Sequence, residues 1–236
     1  QCRLSPLLLT LLPMEDARSA FRLMQQAGHT GKIVLTQSRA DPVPIRDNGS
    51  YPITGGLGGL GLVTARWLAE KRAGHLILLG RSRPNAHARQ EIAALRDGGT
   101  RGTVARADVT DSQELEAVIA AVDDSYPLRG VIHAAGVLED GALMRVQWEQ
   151  FHRVLAPKAE GAWHLHSLTK ELPLDFFVLF SSAASLLGAA GQASHGAANA
   201  FLDGLAHYRR SMGLPGLSIN WGAWSEVGQA SELAQE

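Results

Sequence analysis

Short apolar runs of strand length alternate along most of this chain with segments whose apolar positions recur every three or four residues. Tyr51-Pro52-Ile53-Thr54, His75 to Leu79, Val104 to Ala107, Asp175 to Phe180 and Leu217 to Asn220 read as strands, and Gly130 to Gly136 as a strand and turn. Between them, helices are expected over Leu62 to Glu70, His87 to Asp97, Ser112 to Ala121, Trp148 to Leu168 and Ala197 to Met212. Strands that are apolar almost throughout, each followed by a helix, predict a parallel sheet covered on both faces. The expected fold class is therefore α/β, a doubly wound parallel sheet that binds a nucleotide.

The first residues follow a different pattern. Leu7 to Leu12 is apolar but far too short to span a bilayer, and no targeting segment is read there. Met14 to Gln26 is expected to form an amphipathic helix with Ala20, Phe21 and Met24 on one side, and Lys32 to Thr36 a strand. The stretch after Thr36 carries two prolines and many charged or amide side chains without a period, as a linker does. The expected boundaries are residues 1–36, a linker at 37–49, the main domain at 50–228 and a remnant at 229–236.

Composition narrows the class. The 236 residues, 45% hydrophobic and 19% charged, suffice to bury the core of one ordinary α/β domain. A net charge of -1 gives no electrostatic reason to expect nucleic acid or an anionic membrane as partner. Cys2 is the single cysteine, which excludes an intrachain disulfide and a thiolate metal cluster, so no metal site is expected and a reducing cytoplasm is the natural setting.

The chemistry starts at Thr54-Gly55-Gly56-Leu57-Gly58-Gly59-Leu60-Gly61, a glycine-rich turn between a strand and a helix. Glycine allows unusual backbone angles, a close approach of main chain to a pyrophosphate, and tight helix–strand contact. The helix start then presents free N–H groups and a favourable dipole to the phosphates. A merely flexible turn is the competing reading. At the end of the second strand stand Arg81, Ser82 and Arg83, where an NAD site usually has an acidic residue. A guanidinium pairs with a 2′-phosphate, so NADP(H) is favoured over NAD(H), against the alternative of a solvated basic turn. Asp108 and Val109, ending the third strand, are expected at the adenine, although Asp108 could equally cap the next helix.

The segments TGGLGGLG, LGRSR, ADVTD, HAAGVLEDG, LAPKAEGAWHL, FVLFSSAASLLGAAGQ, AANAFLDGLAHYRR and INWGAW, in this order, resemble the catalytic ketoreductase of modular type I polyketide synthases, a branch of the short-chain dehydrogenases. The resemblance runs from about Ser50 to Gly228, and AFRLMQQAGHTGKIVLT upstream resembles the end of an enoylreductase. It implies a Rossmann-type fold in a segment of a longer synthase, next to an enoylreductase and continuing into a substrate lid. The implied reaction is NADPH-dependent reduction of a β-ketoacyl thioester, carried on an acyl carrier protein, to the β-hydroxyacyl thioester. It also implies cofactor contacts from the glycine turn, Arg81, Ser82, Asp108, Val109, Ala134, Ala135 and Gly136. Lys158 matches the family lysine that holds the nicotinamide ribose, Ser182 the serine that hydrogen-bonds the substrate oxygen, and Asn199 the asparagine of the proton relay. Leu138-Glu139-Asp140 resembles the Leu-Asp-Asp signature of the branch that gives the D-configured alcohol, and Leu187 stands where the other branch has a tryptophan.

Two departures stand out. His195 occupies the position of the proton-donating tyrosine, and Tyr208 is too far along the next helix to replace it. Pro52 removes a donor from a strand expected to be central. Two functional expectations follow: a working ketoreductase with His195 as its acid, or a catalytically impaired domain retained as a scaffold that still binds NADPH.

Overall fold

The computed structural model describes residues 9–36 and 43–222. The chain divides into two compact units, Gln1–Pro44 and Ile45–Glu236. In the first unit, β1 (Leu9–Pro13) and β2 (Lys32–Thr36) pair in parallel around α1 (Ala17–Gln25). The apolar residues before Pro13 thus include a strand that the hydropathy pattern did not separate from a simple apolar run. Met14–Asp16 form a tighter 3₁₀ turn, so the α-helix is shorter than expected. Ala20 is buried beneath it, whereas Phe21 and Met24 are 64% and 52% exposed.

The second unit carries β3 (Ser50–Thr54), α2 (Gly59–Glu70), β4 (His75–Gly80), α3 (Ala86–Asp97), β5 (Arg101–Arg106), α4 (Ser112–Ala120) and β6 (Gly130–His133). It continues with α5 (Trp148–Thr169), β7 (Phe176–Ser182), α6 (Ala184–Leu187), α7 (Ala193–Ser211) and β8 (Leu217–Trp221). All strand pairs are parallel, in the order β5-β4-β3-β6-β7-β8. This is the doubly wound order, with its direction reversing between β3 and β6, where a crevice opens beyond the strands' carboxyl ends.

Alternation along the strands feeds two cores. Ile77 and Leu79 of β4 join Leu115, Val131, Leu165, Phe177 and Leu202 on one face. Leu76 and Leu78 join Tyr51, Ile53, Leu68 and Ile92 on the other. Two elements differ from the hydropathy reading. β5 starts at Arg101 rather than Val104, because as an edge strand it alternates exposed and covered positions instead of running apolar. α7 starts at Ala193, four residues before the expected start, with Gly196 inside its first turn.

Pro52 does sit in a central strand, and the ladder yields around it. Ser50 bridges Leu128, but Thr54 pairs with His133, so the partner advances by one extra residue across the proline. That bulge removes the need for an N–H at Pro52. The Arg129 carbonyl opposite takes the Asp175 N–H instead, at 2.6 Å. The last expected linker residues are also built into this unit. The Arg46 carbonyl accepts from Gly74 N–H at 3.1 Å, and the Arg46 guanidinium grips Asp175 at 2.6 and 2.7 Å.

Candidate active site

The crevice at the strand reversal is a cavity of about 690 Å³. Its floor is the turn between β3 and α2, where Gly55, Leu57, Gly58, Gly59, Leu60 and Gly61 all face the space. Gly55 has φ +65°, and a Cβ there would stand 2.7 Å from the Ala134 carbonyl. A Cβ on Gly61 would collide with the Gly55 carbonyl. At Gly58 a Cβ would meet only the Gly55 carbonyl at 3.5 Å, so the backbone here is open to an approaching ligand. No side chain caps the start of α2, which leaves its first N–H groups directed at the cavity. Thr54 and Gly56 do not face it. Thr54 is fully buried, its hydroxyl 2.7 Å from His133 Nδ1 and accepting from Ala135 N–H at 3.3 Å, so it joins β3 to β6 behind the turn. Gly56 packs against Leu78.

Arg81, Ser82 and Arg83 line one end of the cavity. Arg81 is exposed and stands 3.9 Å from Asp108, a contact loose enough to exchange for a stronger anion. Asp108 and Arg81 both line an adjoining hollow of about 320 Å³, as does Val137, which also faces the main cavity. Asp108 therefore lies beside the crevice, and it does not cap α4. Its Oδ1 accepts from Thr110 N–H and Oγ1, while Asp111 is the cap, accepting from Gln113 and Glu114 N–H. Val109 is buried under Gly161 of α5, where a Cβ on that glycine would come within 2.8 Å of it. Ala134 and Gly136 line the cavity, whereas Ala135 packs against the core.

At the other end the catalytic candidates meet. Lys158, Ser182 and His195 come from α5, the end of β7 and α7, and all three face the same space. Lys158 is buried, and its ammonium donates to the Phe180 carbonyl at 2.8 Å. Burial pulls its pKa down to about 8, with Asp203 opposing the fall. Gly136 makes room for this side chain, since a Cβ there would be 3.0 Å from Lys158 Cε. Asn199 lies one layer behind, wholly buried. Its amide donates to the His195 carbonyl at 2.8 Å, and its Oδ1 makes no hydrogen bond among the described residues. His195 Nδ1 is likewise buried without a hydrogen bond among them. Burial first, and then Lys158, lower the His195 pKa, while Asp140 works the other way. The imidazole is consequently neutral at pH 7.

The three expected stereocontrol residues part company. Leu138 faces the cavity, Glu139 turns away to Arg153 at 2.9 and 3.1 Å, and Asp140 accepts from Gln192 at 3.2 Å. Gly141 N–H donates to the Gly191 carbonyl at 2.8 Å, so this loop is joined to the segment that leads into His195. Gln192 itself lines the cavity and carried no signal in the sequence.

The family model of the KR domain matches residues 49–226. The chain belongs to the KR domain family. Its relatives are modular polyketide synthases. It is 42% identical over 238 residues to a mycocerosic acid synthase-like polyketide synthase of Mycobacterium tuberculosis, covering 96% of this chain and 11% of that protein. It is 46% identical over 227 residues to polyketide synthase GfsB of Streptomyces halstedii, covering 95% of this chain and 4% of that protein. The KR chain thus spans only a small part of the curated relatives it matches. Among solved structures, A-type ketoreductases from a modular polyketide synthase superpose with a TM-score of 0.76 at 42% identity, over 79% of this chain and 40% of theirs. An A1-type ketoreductase gives 0.77 at 35% identity, over 95% of this chain and 51% of its own. The fold is that of these ketoreductases, and the family is one of oxidoreductases that use a nicotinamide cofactor. Among the described residues no helix is long and apolar enough to cross a membrane, and no cluster of side chains suited to a metal occurs.

Proposed function

We propose that this KR domain reduces a β-ketoacyl thioester with NADPH, and that His195 makes it a slow one. The observation that carries the reading is the meeting of Lys158, Ser182 and His195 in the cavity floored by the glycine turn. The residues fit the cofactor. The open backbone at Gly58 and the uncapped start of α2 suit a pyrophosphate, and exposed Arg81 suits a 2′-phosphate. The Lys158 ammonium, with donors to spare beyond Phe180, suits the nicotinamide ribose. When bound, NADPH supplies the hydride. Ser182 Oγ then donates to the substrate carbonyl oxygen as charge grows on it. The proton must come from the His195 side, and Lys158 keeps that region positive, which favours the developing alkoxide. A neutral imidazole lies short of the place a phenol would reach, so a water between His195 and the oxygen completes the transfer. The alternative, a scaffold domain that binds NADPH without turning over, is favoured by the lack of any hydrogen bond to His195 Nδ1 among the described residues.

The substrate is proposed to arrive on an acyl carrier protein in the cytoplasm, and the product to be the D-configured alcohol, with Leu138 in the cavity and Leu187 85% exposed away from packing. Residues 1–36 are read as the end of a neighbouring enoylreductase, whose remainder would cover Phe21 and Met24. A second reading, a βαβ element belonging to the ketoreductase fold itself, is favoured by the A1-type structure, which covers more of this chain than the larger unit supplies.

Titration with NADPH and turnover of a small β-keto thioester test the function together. Binding with measurable reduction supports the first reading, and binding without reduction the scaffold. No binding overturns both.

A further inference from the structure

Asp203 lies on α7 eight residues beyond His195, about two helical turns along, and the proposed reaction gives it no part. Its surroundings are unlike those of a surface carboxylate. Oδ1 accepts from Ser218 Oγ at 2.5 Å, and Oδ2 accepts from Ser185 Oγ at 2.6 Å and from Asn220 Nδ2 at 3.0 Å. Asn220 Nδ2 also lies 3.3 Å from the Ser182 carbonyl, 3.3 Å from Ser181 Oγ and 2.8 Å from Ser185 Oγ. Ser181 Oγ in turn donates to the Asn199 carbonyl at 3.2 Å. One half-buried carboxylate therefore gathers donors from α6 and β8, and these enclose the end of β7 where Ser182 stands.

We propose that Asp203 is a positioning residue of the reductive site, fixing the turn that bears Ser182 and lending negative charge to the neighbourhood of the Lys158 ammonium, which donates to the Phe180 carbonyl just before that turn. A carboxylate withdrawn from water is costly unless donors replace its hydration, and here the hydroxyls of Ser185 and Ser218 and the Asn220 amide do so. Those donors hold its pKa below the usual carboxylate value although burial works the other way. Burial, and after it Lys158, lowers the pKa of both His133 and His195, whereas burial of the Lys158 ammonium itself is opposed by Asp203. A negative charge there favours the ionised lysine. A fixed turn keeps Ser182 Oγ aimed at the substrate oxygen, where a misplacement of about 1 Å can cost on the order of a hundredfold in rate.

The test is Asp203→Asn in the whole chain, which keeps the shape and removes the charge. The ammonium is followed directly. Lys158 is one of four lysines, with Lys32, Lys71 and Lys170, so its side-chain carbon resonance can be titrated by NMR without cofactor and assigned with Lys158→Arg. The expected result is a fall in the Lys158 midpoint of at least about half a pH unit. A second measurement, NADPH turnover in both the parent and the His195→Tyr chains, should lose about tenfold in kcat with less than about a twofold change in KM. Ser218→Ala keeps the charge but loosens the turn. It should lower kcat severalfold without moving the midpoint, and it stands in if Asp203→Asn does not fold. A merely structural carboxylate would lower thermal stability and leave the midpoint and kcat alone, which overturns the proposal. The catalytic arm rests on the ketoreductase reading. If neither chain reduces a thioester, that reading fails, and the Lys158 titration alone decides whether Asp203 supplies the charge.

Discussion

Replacing His195 with tyrosine should raise ketone reduction by about a hundredfold. By standard covalent geometry an imidazole nitrogen falls roughly 2 Å short of where a phenol oxygen would lie. A misplacement of about 1 Å can cost on the order of a hundredfold, and loss of a positioned general acid costs about 10² to 10⁴. A bridging water recovers part of this, which puts the expected gain at the lower end. The acid form is also scarce, because burial and Lys158 both lower the His195 pKa. The parent rate should therefore rise as pH falls from 7 toward 5, while the tyrosine variant should not share that rise. The Asn199 bond should survive the change, since it holds the His195 carbonyl rather than its ring. The assay is loss of NADPH absorbance with a β-keto thioester at saturating cofactor, and the NADPH dissociation constant should stay within about twofold. A parent chain that is already fast, with a tyrosine variant no faster, would refute the reasoning and make His195 a competent acid.

Arg81→Ala should weaken NADPH by on the order of tenfold and leave NADH unchanged, since an exposed guanidinium pairs modestly with a 2′-phosphate. Equal losses for both cofactors would place the phosphate elsewhere. His133 is buried, and that burial, with Lys158 adding to it, lowers its pKa to about 3. The folded state thus binds fewer protons than the unfolded one, so this contribution is complete above about pH 6.5 and is lost as pH falls toward 3. Urea unfolding at pH 7 and pH 5 should show His133→Asn shrinking the acid loss by about 2 kcal/mol, and an unchanged loss would contradict the linkage. Hydrogen exchange should be far faster in β2 than in β6, because β2 belongs to a two-stranded sheet whose helix leaves Phe21 and Met24 exposed; equal protection would mean the boundary after residue 36 is misplaced. Chiral analysis of the product from His195→Tyr should give mainly the D-alcohol, and a dominant L-alcohol would refute the assignment from Leu138-Glu139-Asp140.

The parallel sheet, though not its strand order, could be read from the chain because β3, β4 and β6 are buried on both faces, with β7 largely covered, and so run apolar. Where that condition fails, the pattern misleads. β5 begins with Arg101 and a half-exposed alternation, and β1 lies in an apolar run whose strand character depends on pairing with the distant Lys32–Thr36. The adaptation to Pro52 was equally hidden, since the one-residue advance between Leu128 and His133 is a property of the neighbouring strand. In the site, the glycines and Arg81 announced themselves by spacing. Thr54 and Gly56 share the glycine motif but turn to the sheet, where the Thr54 hydroxyl meets His133 and Gly56 lies against Leu78. Asp203 sat in view within AANAFLDGLAHYRR, yet its role depends on Ser185, Ser218 and Asn220, which only the packing of α6 and β8 against α7 brings together.

The central claim is that the crevice transfers a hydride from NADPH to a β-ketone. The most direct test uses NADPH deuterated at C4 on the transferring face, a β-keto thioester in excess, and mass spectrometry of the product after long incubation. Even a slow domain should place one deuterium on the β-carbon, and Lys158→Ala should abolish the label while the sheet stays folded. Product without label, or no product from either the parent or the His195→Tyr chain at saturating NADPH, would contradict the account.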